Sequence, residues 1–449
     1  MLSFLLVALL NSPSDSHLFC FYILFVYRLI IKANGIAFLL NCGFEKAFIH
    51  IDPKIAKVQH LNLIICKKFT NEAHLKLFLS TNPCFGGILL FGEIHFIRRC
   101  FFMNMDREYA EFATAKAVQL LAIDSPTGFT AEAARWVKNE FEQLGFSAVL
   151  TQKGGVLVTL GGENAKDALF LEAHTDTLGG MVAEVKSNGR LRLTPLGGMR
   201  AENGECENVH IYTRGGKVYE GTLQICNPSV HVNGDYAETK RTFDTTEVVI
   251  DQDVKSKEET RALGIEIGDI VCFEPRTRVT ESGYIKSRFL DDKLSVGILL
   301  GFAKYISDNK IALHRRVYVH VTVYEEVGHG GAGSVPDGVT EAISVDMGCV
   351  GEGVSCTERQ VSICAKDSGG PYSYEVVGKL IDAAKKEGAD YAVDVYPHYG
   401  SDVEATLGAG NDIRHGLIGS GVYASHGYER SHKDGVMNTL LVLKGYLGI

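Results

Sequence analysis

Val321-Thr322-Val323-Tyr324-Glu325-Glu326-Val327-Gly328 is the stretch from which the fold can be read. It is an apolar, β-branched run that stops in two adjacent carboxylates and then in glycines. Successive side chains of a strand point to opposite faces. Two acids placed where a strand ends and the chain turns can instead both serve one pocket. In an open α/β sheet that carboxyl edge is where ligands bind. Adjacent like charges are costly unless something positive lies between them, and a divalent metal is the usual partner. Taken alone, the pair also reads as a solvated acidic turn. The rest of the chain has to decide.

The chain has 449 residues, 46% hydrophobic and 22% charged. That is an ordinary globular balance, with length for two or three domains. Its net charge of −9 is unevenly placed: residues 1–102 hold ten Lys/Arg against five Asp/Glu, so the remainder carries −14. An acidic body argues against nucleic acid or a membrane surface as partner. The eleven cysteines include no CxxC pair. Such a scattered, odd set reads as reduced thiols in a cytoplasmic protein.

Residues 1–102 are rich in Phe, Ile, Leu and Cys but hold no period for long. Met1–Leu10 lacks a basic lead-in, and no small-residue cleavage site follows. The apolar run Leu18–Tyr27 is shorter than the roughly 20 residues a spanning helix needs. This atypical extension reads as a membrane anchor, an accessory domain, or a stretch upstream of a natural start at Met103 or Met105. The last is the expectation, because ordinary patterning begins abruptly there.

From Asp106 the pattern becomes α/β. Tyr109, Phe112, Ala113, Ala117, Leu120 and Leu121 recur at helical spacing. Thr130 is placed to cap a second helix with Ala134, Val137, Phe141 and Leu144 inward and Gly145 closing it. Strands follow at 147–151 and 155–160, and Ala168–Leu171 leads into His174-Thr175-Asp176. Residues 182–284 change character to short β-prone pieces with turns, an inserted all-β domain. The α/β pattern resumes from about 285. Helices are expected over 293–306, 374–387 and 436–446, and strands over 316–324, 342–345 and 360–365. The body thus divides into 106–181 with 285–449, an α/β domain, and the insert.

Chemistry-bearing residues recur at strand ends and turns. His174 with Asp176 two residues on suits a metal ligand and a carboxylate that orients it; a structural histidine is the plainer alternative. Asp291-Asp292, opening a helix, are N-cap residues or a carboxylate bridging two metals. Glu325-Glu326 follow, then Asp346 after an apolar strand, and His426 in Ala424–Glu429. Oxygen and imidazole groups without cysteine suit a hydrolytic metal centre. Two close ions would activate one water and polarise a carbonyl, and a carboxylate outside the ligand set would shuttle the proton. Gly328-His329-Gly330-Gly331-Ala332-Gly333 also matches a dinucleotide loop. Pro336 and Gly338 deny it the long helix that would hold a pyrophosphate, and the preceding glutamates repel one.

With these clusters in order, residues 106–449 resemble metallopeptidase family 42, the glutamyl and tetrahedral aminopeptidases. His174-Thr175-Asp176 is similar to the family's His-x-Asp, Leu290-Asp291-Asp292-Lys293 to its Leu-Asp-Asp-Arg, and Glu325–Gly328 to its Glu-Glu-Val-Gly. The resemblance implies a three-layer αβα domain and a dinuclear aminopeptidase on short peptides, with zinc or cobalt as its two ions. Asp291 would bridge them, with His174 and Asp346 on one and Glu326 and His426 on the other. Glu325 would be the general base, Asp176 would orient His174, and the Asp291-Asp292 bond would be cis. The insert would build a homo-oligomer, commonly a tetrahedral dodecamer. Gly427 stands where members usually carry Ser. With Asp412-Ile413-Arg414, this looks like a subgroup linked to osmoprotectant dipeptides, which leaves hydrolysis of a small N-acyl or dipeptide amide as the alternative. Asp367–Pro371 and Gly400–Asp402 fall where substrate-facing loops would be, and both are ordinary turns as well. A metal-binding scaffold without turnover is a third reading, disfavoured because it needs no spare Glu325.

Overall fold

The computed structural model describes the backbone of 27–32, 35–42, 45–51, 62–67, 75–80, 88–90 and 95–449, with side chains from residue 107 onward. The readings made on Met1–Leu10 and Leu18–Tyr27 lie, Tyr27 apart, outside those residues. Met1–Met103 and Asn104–Ile449 form separate compact units. In the first, β1 (Tyr27–Lys32), β2 (Gly35–Cys42) and β3 (Glu45–Ile51) make one antiparallel sheet. β4 (Asn62–Lys67), β5 (Leu75–Ser80) and β6 (Ile88–Leu90) make another.

The body opens with α1 (His95–Leu121) and α2 (Ala131–Gln143). Tyr109, Ala113, Ala117, Leu120 and Leu121 are buried, as the spacing predicts. Thr130 does precede α2, but its side chain makes no capping bond. β7 (Ser147–Leu150), β8 (Val156–Gly161) and β9 (Asn164–His174) follow.

The insert is a closed barrel of β10 (Gly179–Val185), β11 (Leu191–Leu196), β12 (Asn208–Tyr212), β13 (Val218–Ile225), β14 (Thr246–Ile250) and β15 (Ile270–Phe273). Short helices α3 (Ala201–Gly204) and α4 (Lys257–Ala262) sit in its connections. The barrel therefore runs from 179 to 273, against the 182–284 drawn from sequence. The pairing explains the difference. β16 (Arg278–Val279) and β17 (Tyr284–Ser287) look like more of the insert, yet β17 hydrogen-bonds to β24 (Glu429–His432) of the main sheet.

The chain then runs through α5 (Leu290–Asp308), β18 (Arg315–Thr322), β19 (Val339–Val345), β20 (Gly348–Val350) and β21 (Val361–Lys366). It closes with α6 (Tyr374–Glu387), β22 (Tyr391–Val395), α7 (Asp402–Gly408), β23 (Arg414–Tyr423), the β24 already placed, and α8 (Lys433–Leu447). The sheet order is β16-β17-β24-β23-β19-β9-β18-β8-β7, with β20, β21 and β22 joined beside β23. At its centre β23, β19, β9 and β18 are parallel neighbours. Every residue of β9 from Ala168 to His174 is buried. A strand buried on both faces lies between two covering layers, as parallel sheets do, in keeping with a mixed α/β fold. No helix among the described residues is long and apolar enough to cross a membrane.

α5 packs on α1 so closely that a Cβ on Gly297 would lie 2.5 Å from the Ala113 carbonyl oxygen and 2.8 Å from the Ala117 Cβ. Two backbones in contact leave no side chain to yield. Gly297→Ala should therefore destabilise the body by about 1–3 kcal/mol, seen as a lower thermal unfolding midpoint.

Candidate metal centre

The four parallel strands set the site. β9 ends in His174, β18 leads to Glu325 and Glu326, β19 to Asp346, and β23 to the turn that carries His426. Asp291 enters from the start of α5. The Asp291-Asp292 peptide bond is cis, as the resemblance implies. The strand read as running to Tyr324 stops at Thr322. Tyr324 takes a left-handed conformation (φ 69°), and Glu325–Val327 form one turn of 3-10 helix. Neighbours on such a turn diverge by about 120° rather than pointing oppositely, which lets both acids reach one pocket. No helix opens after the glycine run; the next element is β19.

His174 Nε2 lies 3.1 Å from Asp291 Oδ1 and 3.5 Å from Glu325 Oε2. His426 Nε2 lies 3.4 Å from Asp291 Oδ2 and 3.6 Å from Glu326 Oε2. The ligand-type atoms of His174, Asp291 and Asp346 lie within 4.8 Å of one another, and so do those of Asp291, Glu326 and His426. Asp291 belongs to both groups, one oxygen toward each imidazole. Glu325 belongs to neither.

Asp176 is placed differently from its expected part. His174 Nδ1 meets the Asp176 main-chain oxygen at 2.9 Å, while the nearest carboxylate oxygen is 3.7 Å away. A carbonyl acceptor fixes the tautomer as well as a carboxylate does. The carboxylate is occupied elsewhere. It accepts from the Thr127 hydroxyl at 2.7 Å and from the backbone N–H groups of Glu325 and Glu326 at 3.2 and 3.4 Å. Asp176 thus orients the histidine through its backbone and the glutamate turn through its side chain.

Two carboxylates hold candidate ligands from behind, and a third holds the end of β18. The sequence nominated Asp292 only as a cap or bridging group and Asp402 only in a substrate-facing loop, and gave Glu429 no part. Glu429, fully buried, accepts from the Asp291 N–H at 3.1 Å and the His426 N–H at 2.9 Å. Asp292 accepts from the His174 N–H at 3.2 Å. Asp402 accepts from the Thr322 hydroxyl at 2.5 Å. Only the spacing of Glu429, three residues past His426, hinted at such a part. The loop at Asp367 is bonded to itself: its carboxylate accepts from the N–H groups of Gly369 and Gly370 and from the Tyr372 hydroxyl.

The barrel supplies one wall. A Cβ on Gly198 would lie 2.6 Å from His426 Nδ1, and one on Gly197 would lie 3.0 Å from the Glu326 Cβ. Asn203 Nδ2 donates to the His426 carbonyl at 2.9 Å. Leu178, Met199, Arg288 and Phe289 line the cleft beside Asp291, Glu326 and His426.

The site is short of positive charge. Burial, with the charge of Asp291, pushes Asp346 up to about 7 and Glu429 up to about 8. Burial also raises Glu325 and Glu326 well above the usual carboxylate range, although the His174 charge opposes it. Asp291 goes the other way: against burial, hydrogen bonds from His174 and His426 hold it below that range. Its hydrogen bond to Asp291 takes His426 up to about 9. Glu326 Oε1 is buried without a hydrogen-bond partner. Carboxylates and imidazoles without thiolate, crowded and with an orphaned oxygen among them, fit divalent cations.

A parallel sheet with such a cluster at its carboxyl edge, walled by an inserted barrel, defines a metal-dependent hydrolase. The sequence profile of the M42 glutamyl aminopeptidases matches residues 154–441. The putative aminopeptidase YhfE of Bacillus subtilis is 41% identical over 329 residues, covering 73% of this chain and 95% of that protein. The glutamyl aminopeptidase of Lactococcus lactis is 26% identical over 220 residues, 48% of this chain and 61% of that one. The TET1 peptidase of Pyrococcus horikoshii superposes with a TM-score of 0.65 at 21% identity, covering 74% of this chain and 98% of that one. The chain belongs to the M42 family, and it is a metal-dependent aminopeptidase, a hydrolase acting on peptide bonds.

Because Glu429 fixes the backbone of one residue from each ligand arm, Glu429→Gln should weaken metal binding by about 10–100-fold, the usual effect of losing a partner behind a ligand. Titration of the apo protein with zinc, followed calorimetrically, reads this directly.

Proposed function

We propose that the protein removes N-terminal residues from short peptides with two divalent ions, zinc or cobalt, and with Glu325 as general base. The observation that carries this reading is Glu325 itself. It lies beside His174, outside both ligand groups, on the same turn as Glu326. Asp291 would be shared by the two ions, with His174 and Asp346 completing one shell and Glu326 and His426 the other. Ions bound there would lower the pKa of water and polarise the scissile carbonyl.

The chain's own residues do the rest. Glu325 takes the proton from the attacking water and gives it to the leaving amine. Its burial, which raises the carboxyl above the usual carboxylate range, favours uptake of the proton from water. Asp176 keeps Glu325 in reach through the backbone bond. Leu178, Met199 and Phe289 offer an apolar surface for a substrate side chain. A homo-oligomer, of twelve subunits in the tetrahedral case, fits the barrel and the likeness to TET1, which can assemble into a tetrahedron or a large octahedral shell. A cytoplasmic location fits the six unpaired cysteines of the described residues. No nucleic acid or membrane partner is proposed.

Glu325→Gln should lower kcat on aminoacyl-anilides by about 10²–10⁴-fold while the protein keeps its full metal content. Chelation should abolish turnover, and zinc or cobalt should restore it. Full activity of the Gln variant at full metal occupancy would refute Glu325 as the base. Cleavage of N-acetylated but not free-amino dipeptides would shift the assignment to amide hydrolysis of a small metabolite.

A further inference from the structure

The turn that carries Glu325 is held at two ends by groups of opposite charge. At its start, the Asp176 carboxylate receives the N–H groups of Glu325 and Glu326. At its exit, two carbonyls point the other way, toward a cation. Lys153 Nζ donates to the main-chain oxygen of His329 and, at 2.9 Å, to that of Gly330. Lys153 belongs to the tight turn between β7 and β8, and no site motif marks it.

The exit is the closed end of a small loop. The His329 N–H returns to the Tyr324 carbonyl at 3.1 Å, and the two rings stack with centroids 5.1 Å apart. Whatever fixes His329 and Gly330 therefore fixes Tyr324, one residue before Glu325. From the other side, α7 closes on the glycines. A Cβ on Gly330 would lie 2.9 Å from the Glu325 Cα, with the Asp402 carboxylate nearer still, and Thr406 donates to the Gly331 carbonyl at 3.0 Å. Partial burial lowers the Lys153 pKa, and the charges of Asp402, Asp176 and Glu172 oppose that shift without reversing it. Side-chain flexibility alone would let a lysine swing to solvent; the two carbonyls hold it here.

We propose that Lys153 is a positioning residue for Glu325: it pins the exit of the glutamate turn so that the carboxyl stays beside His174 and the reacting water. It touches neither substrate nor metal ligand. This inference rests on Glu325 being the general base.

The test compares Lys153→Met, Lys153→Arg and Glu325→Gln in the holoenzyme, with metal content measured in each. Lys153→Met should lower kcat by about 10-fold or more, with KM within about 3-fold and metal content unchanged, since a misplacement of the order of 1 Å at a reacting group costs up to about 100-fold. Lys153→Arg, which keeps a cation and two donors, should recover most of the loss. Lys153→Met in the Glu325→Gln background should add no further loss. An unchanged kcat in Lys153→Met, or equal loss in Met and Arg, overturns the proposal. So does a loss that falls on KM or on metal content. If Lys153→Met does not fold, Lys153→Gln must show the same split. An active Glu325→Gln enzyme overturns the base assignment instead, so the two failures are distinguishable.

Discussion

One carboxylate, Asp291, faces two imidazoles at once, and the arrangement of the whole edge follows from that. Its oxygens lie 3.1 and 3.4 Å from His174 and His426, residues that arrive from different strands. A shared anion of this kind works only if its backbone cannot drift. Glu429 supplies the restraint by taking the Asp291 N–H and the His426 N–H on its two oxygens. Asp292, the next residue, does the same for the His174 backbone. Carboxylates therefore serve in two layers, one facing the cleft and one facing the N–H groups of the residues in front. The cost of burying so many acids is met by pairing, proton uptake, or a bound cation.

Much of this was legible in the sequence. Long amphipathic segments such as α1, α2 and α6 announce themselves by period. The candidate ligands His174, Glu326 and Asp346 stand out because each follows an apolar strand, whereas Asp291 stands out as one of two acids opening a helix and His426 as a histidine on a turn. What the sequence hid is what depends on pairing between distant segments. β17 reads as part of the insert because its alternation is local, whereas its membership of the main sheet depends on β24, well over a hundred residues away. β22, β23 and β24 and the short helix α7 went unread for similar reasons. β23 carries three glycines among its apolar residues, and α7 spans only seven positions.

The site shows the same division. His174, Asp291, Glu326, Asp346 and His426 could be nominated by residue type. The task of Asp176 could not, because its two functional groups act on different neighbours. Its carbonyl serves the histidine, while its carboxylate serves a turn almost 150 residues on. Glu429 and Lys153 are ordinary surface-type residues by identity. Only the folded chain shows that one is buried against two N–H groups and that the other, half-buried, donates to two carbonyls.

The barrel's wall has a consequence for how the protein can be divided. Gly197, Gly198 and Asn203 touch Glu326 and His426 directly, so the insert is not a cassette hung beside a finished enzyme. A version cut at the two crossings and rejoined would keep every candidate ligand and still lose the surface against which two of them rest. Grafting a relative's barrel would have to preserve two bare glycines and one amide in register with the host's own strand ends. Any change in the barrel's tilt is delivered, without an intermediary, to Glu326 and His426.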